Sequence, residues 1–372
     1  MPDTRAVLDR ILAAMRERAL EALVVYSDGA LNILRASHLQ YVAGVRPLGP
    51  RNAVVIGRRG EVALLVEPAW DRDRVSRLSW IPGVRGTDDL ARELPALLRA
   101  LGATGTVGLV SGDLMTTEVF DRLSGACRVV PADAIVEAAA VQRSPDEVAL
   151  ARRVAGIADV GFEAFRHAVR AGIREYELLA ELEYAMRNAG ADDSFNLVAS
   201  GSHSHGMHAP TDRRLVPGDT VIVEITPVRD GQFVQLCRTV VLGEPATVLA
   251  ERYALLLTAY RAGVEALGAG RPASGLASAI NRVLSEAGYR EYCYPPYMRT
   301  RGHGFGVGSI APGIVIDEQT DHALTEHQVI VVHPNQYLPE TGYLACGETH
   351  LVTAGGAERL ARTETRLYVE PV

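Results

Sequence analysis

Apolar positions along the chain follow two alternating rhythms. Over residues 6–19 they recur three or four apart, the spacing of one helical face. Ala22-Leu23-Val24-Val25-Tyr26 is instead a short unbroken apolar run, which predicts a buried strand. Similar runs recur at residues 53–56, 62–66 and 107–110, with helical stretches between them, notably around residues 88–101. That alternation predicts a small α/β domain with a mixed sheet. Residues 138–145 read as a boundary. In Ser144-Pro145-Asp146-Glu147 the serine suits an N-cap, the proline a first helical position and the acids a first turn. A long amphipathic helix is expected from there to about Val169 and a second from about Glu175 to Asn188. Strands follow within residues 194–243, two helices within 247–287 and closing strands within 329–353. The expected organisation is a mixed α/β N-terminal domain, residues 1–140, and a C-terminal α+β domain, residues 141–372, with no internal repeat.

Bulk properties narrow the partners. Hydrophobic content of 48% and charged content of 22% are ordinary for a soluble globular protein. A net charge of −7 gives no electrostatic reason for a nucleic-acid or anionic-membrane partner. No apolar run approaches the roughly 20 residues of a spanning helix. Met1-Pro2-Asp3-Thr4-Arg5 lacks a signal pattern, so a cytoplasmic location is expected. Cys127, Cys237, Cys293 and Cys346 are widely spaced and form no CxxC, so neither a structural zinc nor a disulfide framework is indicated.

Five motifs carry the chemistry. Asn196-Leu197-Val198-Ala199-Ser200-Gly201 precedes Met207-His208-Ala209-Pro210-Thr211. Gly218-Asp219 opens a hairpin whose strands carry Glu224 and Gln235-Leu236-Cys237-Arg238-Thr239. Gly302-His303-Gly304-Phe305-Gly306 is followed by Val331-Val332-His333-Pro334, and Leu351-Val352-Thr353 closes the series. In this order and spacing they resemble the pita-bread family, which includes methionine aminopeptidase, prolidase, aminopeptidase P and creatinase. The resemblance runs well from about residue 142 to 360 and loosely before that. The glycines at 302, 304, 306 and 308 follow no dinucleotide-binding spacing and read as close packing and a tight bend.

The resemblance implies a pair of divalent ions held by Asp, Asp, His, Glu and Glu. The matching positions here hold Glu224, Gln235, His303, His333 and Gly347, or Glu348 if the last match slips by one. Bridging two ions needs carboxylates at the shared positions, and an amide and a glycine supply none. The expectation is therefore a non-peptidase branch with no metal cofactor, closest in logic to creatinase. A single ion held by His303, His333 and Glu224 is the alternative. His203 and His205 read as solvated loop residues.

On that basis the sequence predicts a metal-independent hydrolase, or related lyase, cleaving a C–N bond in a small polar metabolite. By the same resemblance His208 is the general acid/base, with Glu224, His303, His333 and Glu348 as its catalytic companions. Gln235, Cys237, Arg299 and Arg301 are candidate substrate contacts, the arginines through a carboxylate clamp. Cys237 also reads as a nucleophile assisted by histidine or as a small buried filler. A non-catalytic binding protein and an Xaa-Pro aminopeptidase stand as alternatives. The family resemblance further implies a homodimer, with the loop at residues 44–51 reaching the other subunit's pocket.

Overall fold

A computed structural model describes every residue except 1–3, 142 and 204. The signal-pattern reading of residues 1–3 and the boundary position 142 therefore lie outside the described residues. The chain divides into two compact units, Met1–Asp146 and Glu147–Val372.

The first unit runs α1 (Thr4–Glu17), β1 (Ala22–Ser27), α2 (His38–Ala43), β2 (Arg51–Gly57), β3 (Val62–Glu67), α3 (Arg72–Leu78), β4 (Gly83–Gly86), α4 (Leu90–Ala100), β5 (Thr106–Val110), α5 (Thr117–Ser124), β6 (Arg128–Pro131) and α6 (Asp133–Val141). Its six strands order as β4-β3-β2-β1-β5-β6. β1 is antiparallel to β2 and parallel to β5, so the sheet is mixed. Every residue of β1 is buried, because both faces of the sheet are covered. Leu94 and Leu98 of α4 and Val119 and Leu123 of α5 join Val24 and Val55 in one apolar cluster.

α7 (Pro145–Ala168) starts two residues before the second unit, with proline at its first position as the sequence anticipates. Val148, Ala151, Val154, Ala158, Phe162 and Phe165 form its buried stripe at three- and four-residue steps. α8 (Glu175–Asn188) follows, and Glu177 accepts the Arg174 backbone N–H at 2.8 Å, tying down the helix start. Then come β7 (Asp193–Gly201), β8 (Thr220–Arg229), β9 (Gln232–Phe233), β10 (Leu236–Leu242), α9 (Thr247–Glu265), α10 (Ser274–Glu286), β11 (Gly302–Phe305), β12 (Val329–Val332), β13 (Gln336–Leu338), β14 (Gly342–Leu344), β15 (Gly347–Thr353), β16 (Gly356–Arg359) and β17 (Tyr368–Glu370). The main sheet orders as β11-β12-β15-β10-β8-β7, and these neighbours are all antiparallel. One face of it packs on α9 and α10: Ile330, Val332 and Val352 share a core with Tyr253, Leu256 and Ile280. Among the described residues, no helix is long and apolar enough to cross a membrane.

Candidate functional site

Strand pairing decides which polar residues meet. Side chains alternate between the two faces of a sheet. Cys237 lies opposite Glu224 on β8 and opposite Gly347 on β15. Thr349, two residues on, lies opposite Val331, which lies opposite His303. Glu224, Cys237, Gly347, Thr349 and His303 therefore share the face away from α9 and α10. Gln235 joins them through Thr349, whose hydroxyl accepts the Gln235 N–H at 2.8 Å.

The cluster is drawn together by weak and neutral contacts. The Cys237 thiol lies 3.8 Å from Glu224 Oε2 and 3.8 Å from His333 Nδ1. Asn335 Nδ2 donates to His333 Nδ1 at 3.2 Å, which leaves Nε2 to carry the ring proton. The rings of His303 and His333 stack with centroids 5.4 Å apart. Gln235 Oε1 is buried without a hydrogen-bond partner among the described residues. Tyr343 packs against Cys237, Ile222 and Ala199 from β14, with Met207 beside it.

Burial sets the charge state. It raises the Glu224 carboxyl to about 7, with Cys237 and Gln235 hydrogen bonds opposing it. Burial lowers His303 to about 4, against a backbone contact with Gly304. His333 lies well below its ordinary value, through burial first and then through His303 and Arg301. Both rings are neutral at pH 7. Burial and the Glu224 charge raise the Cys237 thiol well above its usual range. It is a thiol donor here and lacks the thiolate character a nucleophile needs.

The other expected residues go elsewhere. Glu348 lies one residue from Gly347 and so points to the opposite face, and its assignment beside His303 and His333 is corrected by that register. There it is fully buried against Arg238, whose Nη2 is 3.1 Å away, and it accepts from Tyr260 at 2.7 Å and from Thr365. Burial pushes the Glu348 carboxyl up, but Arg238, His350 and the two hydroxyls together hold it below its ordinary value. Arg301 is also buried, with its guanidinium committed to Asn281 Oδ1, the Asn335 carbonyl and Gln336 Oε1 at 2.7, 3.1 and 2.8 Å. It braces the segment bearing Asn335 and is no free clamp. Arg299 is exposed. His208 is exposed on its loop, with Nδ1 2.7 Å from the Ala209 carbonyl oxygen. His203 and His205 stand on the same loop against Tyr337, with ring centroids 5.7 and 5.9 Å from it.

Sequence reasoning passed over Asn335 and Tyr343. Asn335 had a visible signal, a polar side chain in the run His333-Pro334-Asn335-Gln336 that directly follows the apolar strand β12. Tyr343 had none, since a tyrosine in a short hairpin strand has no chemical signature.

The chain matches the family described as metallopeptidase family M24 over residues 149–354 and the creatinase/prolidase N-terminal domain over residues 8–139. It is 28% identical to the Xaa-Pro dipeptidase of Pyrococcus furiosus over 364 residues, covering 95% of this chain and 100% of that protein. The Xaa-Pro dipeptidase of Pyrococcus horikoshii is 25% identical, covering 94% and 97%. The fold is that of a solved Xaa-Pro dipeptidase from Bacillus anthracis, with a TM-score of 0.86, 23% identity and coverage of 99% and 100%.

These findings overturn three expectations. A metal-independent hydrolase of small polar metabolites, a non-peptidase branch and the absence of any metal cofactor all give way, because the relatives are Xaa-Pro dipeptidases and the family is one of metallopeptidases. The donor set is nevertheless not the family's. Among the described residues, no group of three or more His, Cys, Asp or Glu is placed to hold a metal ion. Glu224 faces a thiol, Gln235 is an amide and Gly347 has no side chain. A two-ion centre does not fit these residues. Gly347 has φ 143°, and a Cβ there would lie 2.1 Å from the Val332 carbonyl oxygen, so the local backbone excludes a side chain at the last bridging position. Matched to that family over residues 149–354, the chain belongs to metallopeptidase family M24.

Proposed function

We propose that the chain is a hydrolase of short peptides that takes Xaa-Pro dipeptides, or close analogues, at the cluster of Glu224, His303 and His333. The observation that carries this reading is the end-to-end match with the Pyrococcus furiosus Xaa-Pro dipeptidase, which spans both units. The chemistry of the cluster supports it. A dipeptide presents an ammonium at one end and a carboxylate at the other. Glu224 and the unpartnered Gln235 Oε1 are acceptors for the ammonium or an amide N–H. His333, with Nδ1 engaged by Asn335, offers its Nε2–H to a carbonyl or carboxylate oxygen. A Glu224 carboxyl poised at about 7 can hold and release a proton in the working range. His208 sits next to Met207, which packs on the Cys237 cluster, and in this reading it meets the ligand from the loop side. The two ions of the family would supply a Lewis acid and an activated water. These residues do not fit the two ions.

A second reading, dipeptide binding without turnover, is favoured by one observation: an amide and a bare glycine stand where bridging carboxylates would. Purified full-length protein with Ala-Pro or Met-Pro, with and without added Mn²⁺ or Co²⁺, separates the two. Free proline supports the hydrolase, and Glu224→Gln should lower its release about 100-fold. Saturable calorimetric binding without proline release supports the second reading. Neither release nor binding sinks both.

A further inference from the structure

The N-terminal unit contains a cavity of about 270 Å³ that the peptide-binding reading does not use, lined by Tyr26, Ser27, Asp28, Arg35, His38 and Ser111 among others. Ser111 directly follows β5, which is parallel to both its neighbours, β1 and β6. It thus stands at the carboxyl end of the strands, the edge at which open α/β sheets place ligands. Its backbone is left-handed, with φ 57° and ψ 39°, an uncommon state for serine. Asp133 Oδ1 fixes that state by accepting the Ser111 N–H at 2.7 Å. A 3₁₀ turn over Gly112–Leu114 follows at once. Strand, left-handed serine and helical turn together make a sharp elbow, the geometry by which hydrolases present a nucleophile. Gly108-Leu109-Val110-Ser111-Gly112 does not match the usual GxSxG spelling of that elbow, so conformation alone bears the likeness.

The partners of this serine make it more than a strained turn. His38 Nδ1 lies 2.8 Å from Ser111 Oγ. The ring is more than nine-tenths buried, and its other nitrogen, Nε2, has no hydrogen-bond partner among the described residues. That nitrogen lies 3.7 Å from Glu137 Oε1, a little beyond hydrogen-bond reach. The contact with His38 holds the Glu137 carboxyl below its ordinary value, against burial. The two nitrogens of His38 thus face the serine hydroxyl and the Glu137 carboxylate, with the hydroxyl and the imidazole both on the cavity wall.

We propose that Ser111, His38 and Glu137 form a second reactive site, a serine-hydrolase centre for small polar acyl esters, built wholly from residues of the first unit. Ser111 Oγ adds to the ester carbonyl carbon as its proton passes to His38 Nδ1, and the carbonyl electron pair moves onto oxygen. The pair returns, the C–O bond to the alcohol breaks, and the alcohol leaves with the proton from His38. Water then adds to the acyl-serine by the same route, releasing the acid and restoring the hydroxyl. The ring works in the opposite sense to the usual triad, with Nδ1 toward serine and Nε2–H toward the carboxylate. The cavity is slightly smaller than drug-sized pockets and carries Asp28 and Arg35 on its wall, which suits a short polar acyl group rather than a lipid chain.

The test uses the full-length protein with a fluorophosphonate probe and p-nitrophenyl acetate. One phosphonyl adduct is expected, on the peptide containing Ser111. Ester hydrolysis should fall about 1,000-fold in Ser111→Ala. Glu137→Gln is half-exposed and tolerable to the fold, and it should lower the rate about tenfold and shift the acid limb of its pH profile. Dipeptide binding in Ser111→Ala should stay unchanged, which keeps this result separate from the peptide-hydrolase reading. No adduct on Ser111, or ester hydrolysis in Ser111→Ala at the unsubstituted rate, overturns the proposal.

Discussion

Cys237 and Gly347 face each other across antiparallel strands, and this one pairing sorts the polar residues of the second unit into two groups. On the side of the pair lie Glu224, His303 and His333. One residue along, on the other side, lie Glu348 and Arg238.

Glu348 is therefore a partner for a buried charge. Glu348→Ala leaves Arg238 fully buried without its carboxylate, the situation that costs about 3–5 kcal/mol. Glu348→Gln keeps the hydrogen-bond geometry and should cost less. Urea unfolding monitored by circular dichroism measures both. If Glu348→Ala unfolds at the parent's midpoint, the network is not structural.

Much of the architecture was legible in the sequence, for reasons visible in particular elements. The apolar run at β1 and the proline start of α7 are local signals, and both appear where the pattern put them. The mixed sheet of the first unit followed from the alternation of such signals. The site was legible only as far as strand face allowed. Glu224, His303 and His333 stand on one face of the sheet, but a one-residue ambiguity at Gly347 and Glu348 inverted a side chain, since strand period is two. Arg301 read as a carboxylate clamp because nothing local reveals that Asn281 and Gln336 will enclose it. The departures at the ligand positions pointed away from peptidases, whereas the whole-chain kinship points toward them.

Glu224 should give stability a distinctive pH dependence. Its folded value of about 7 is raised above an unfolded value near 4.5, so the folded state holds the proton more tightly. This contribution is complete below about pH 4.5 and is lost as pH rises through 7. A shift of this size corresponds to something on the order of 3 kcal/mol. Glu224→Gln should remove that slope, becoming relatively more stable than the parent between pH 5 and 8. Parallel thermal melts across that range test it, and curves that stay a constant distance apart would count against a buried, proton-holding Glu224.

The four cysteines are all buried and free, and burial raises the thiol pKa of each. Native protein at pH 8 should resist iodoacetamide over an hour, and denatured protein should take up four labels. Rapid native labelling of Cys237, read by peptide mass, would mean an opened cluster and a more acidic thiol than its surroundings imply.

Gly347 holds the sheet at its tightest point near the cluster. Substitution by alanine meets two separate obstacles, an unfavourable backbone at φ 143° and a Cβ only 2.1 Å from the Val332 carbonyl oxygen. Gly218 in the same unit isolates the first, since it has φ 88° and nothing within 4 Å of a built Cβ. Gly218→Ala should cost about 1 kcal/mol, the ordinary penalty for a side chain at positive φ. Gly347→Ala must also displace β12 backbone beside His333, and should cost at least about 2 kcal/mol more. It should weaken dipeptide binding as well, because the displaced strand leads directly into His333 and Asn335. Chemical denaturation of the two variants side by side gives the difference. Equal losses would show that the strands part freely at Gly347, and that a carboxylate could be accommodated there after all.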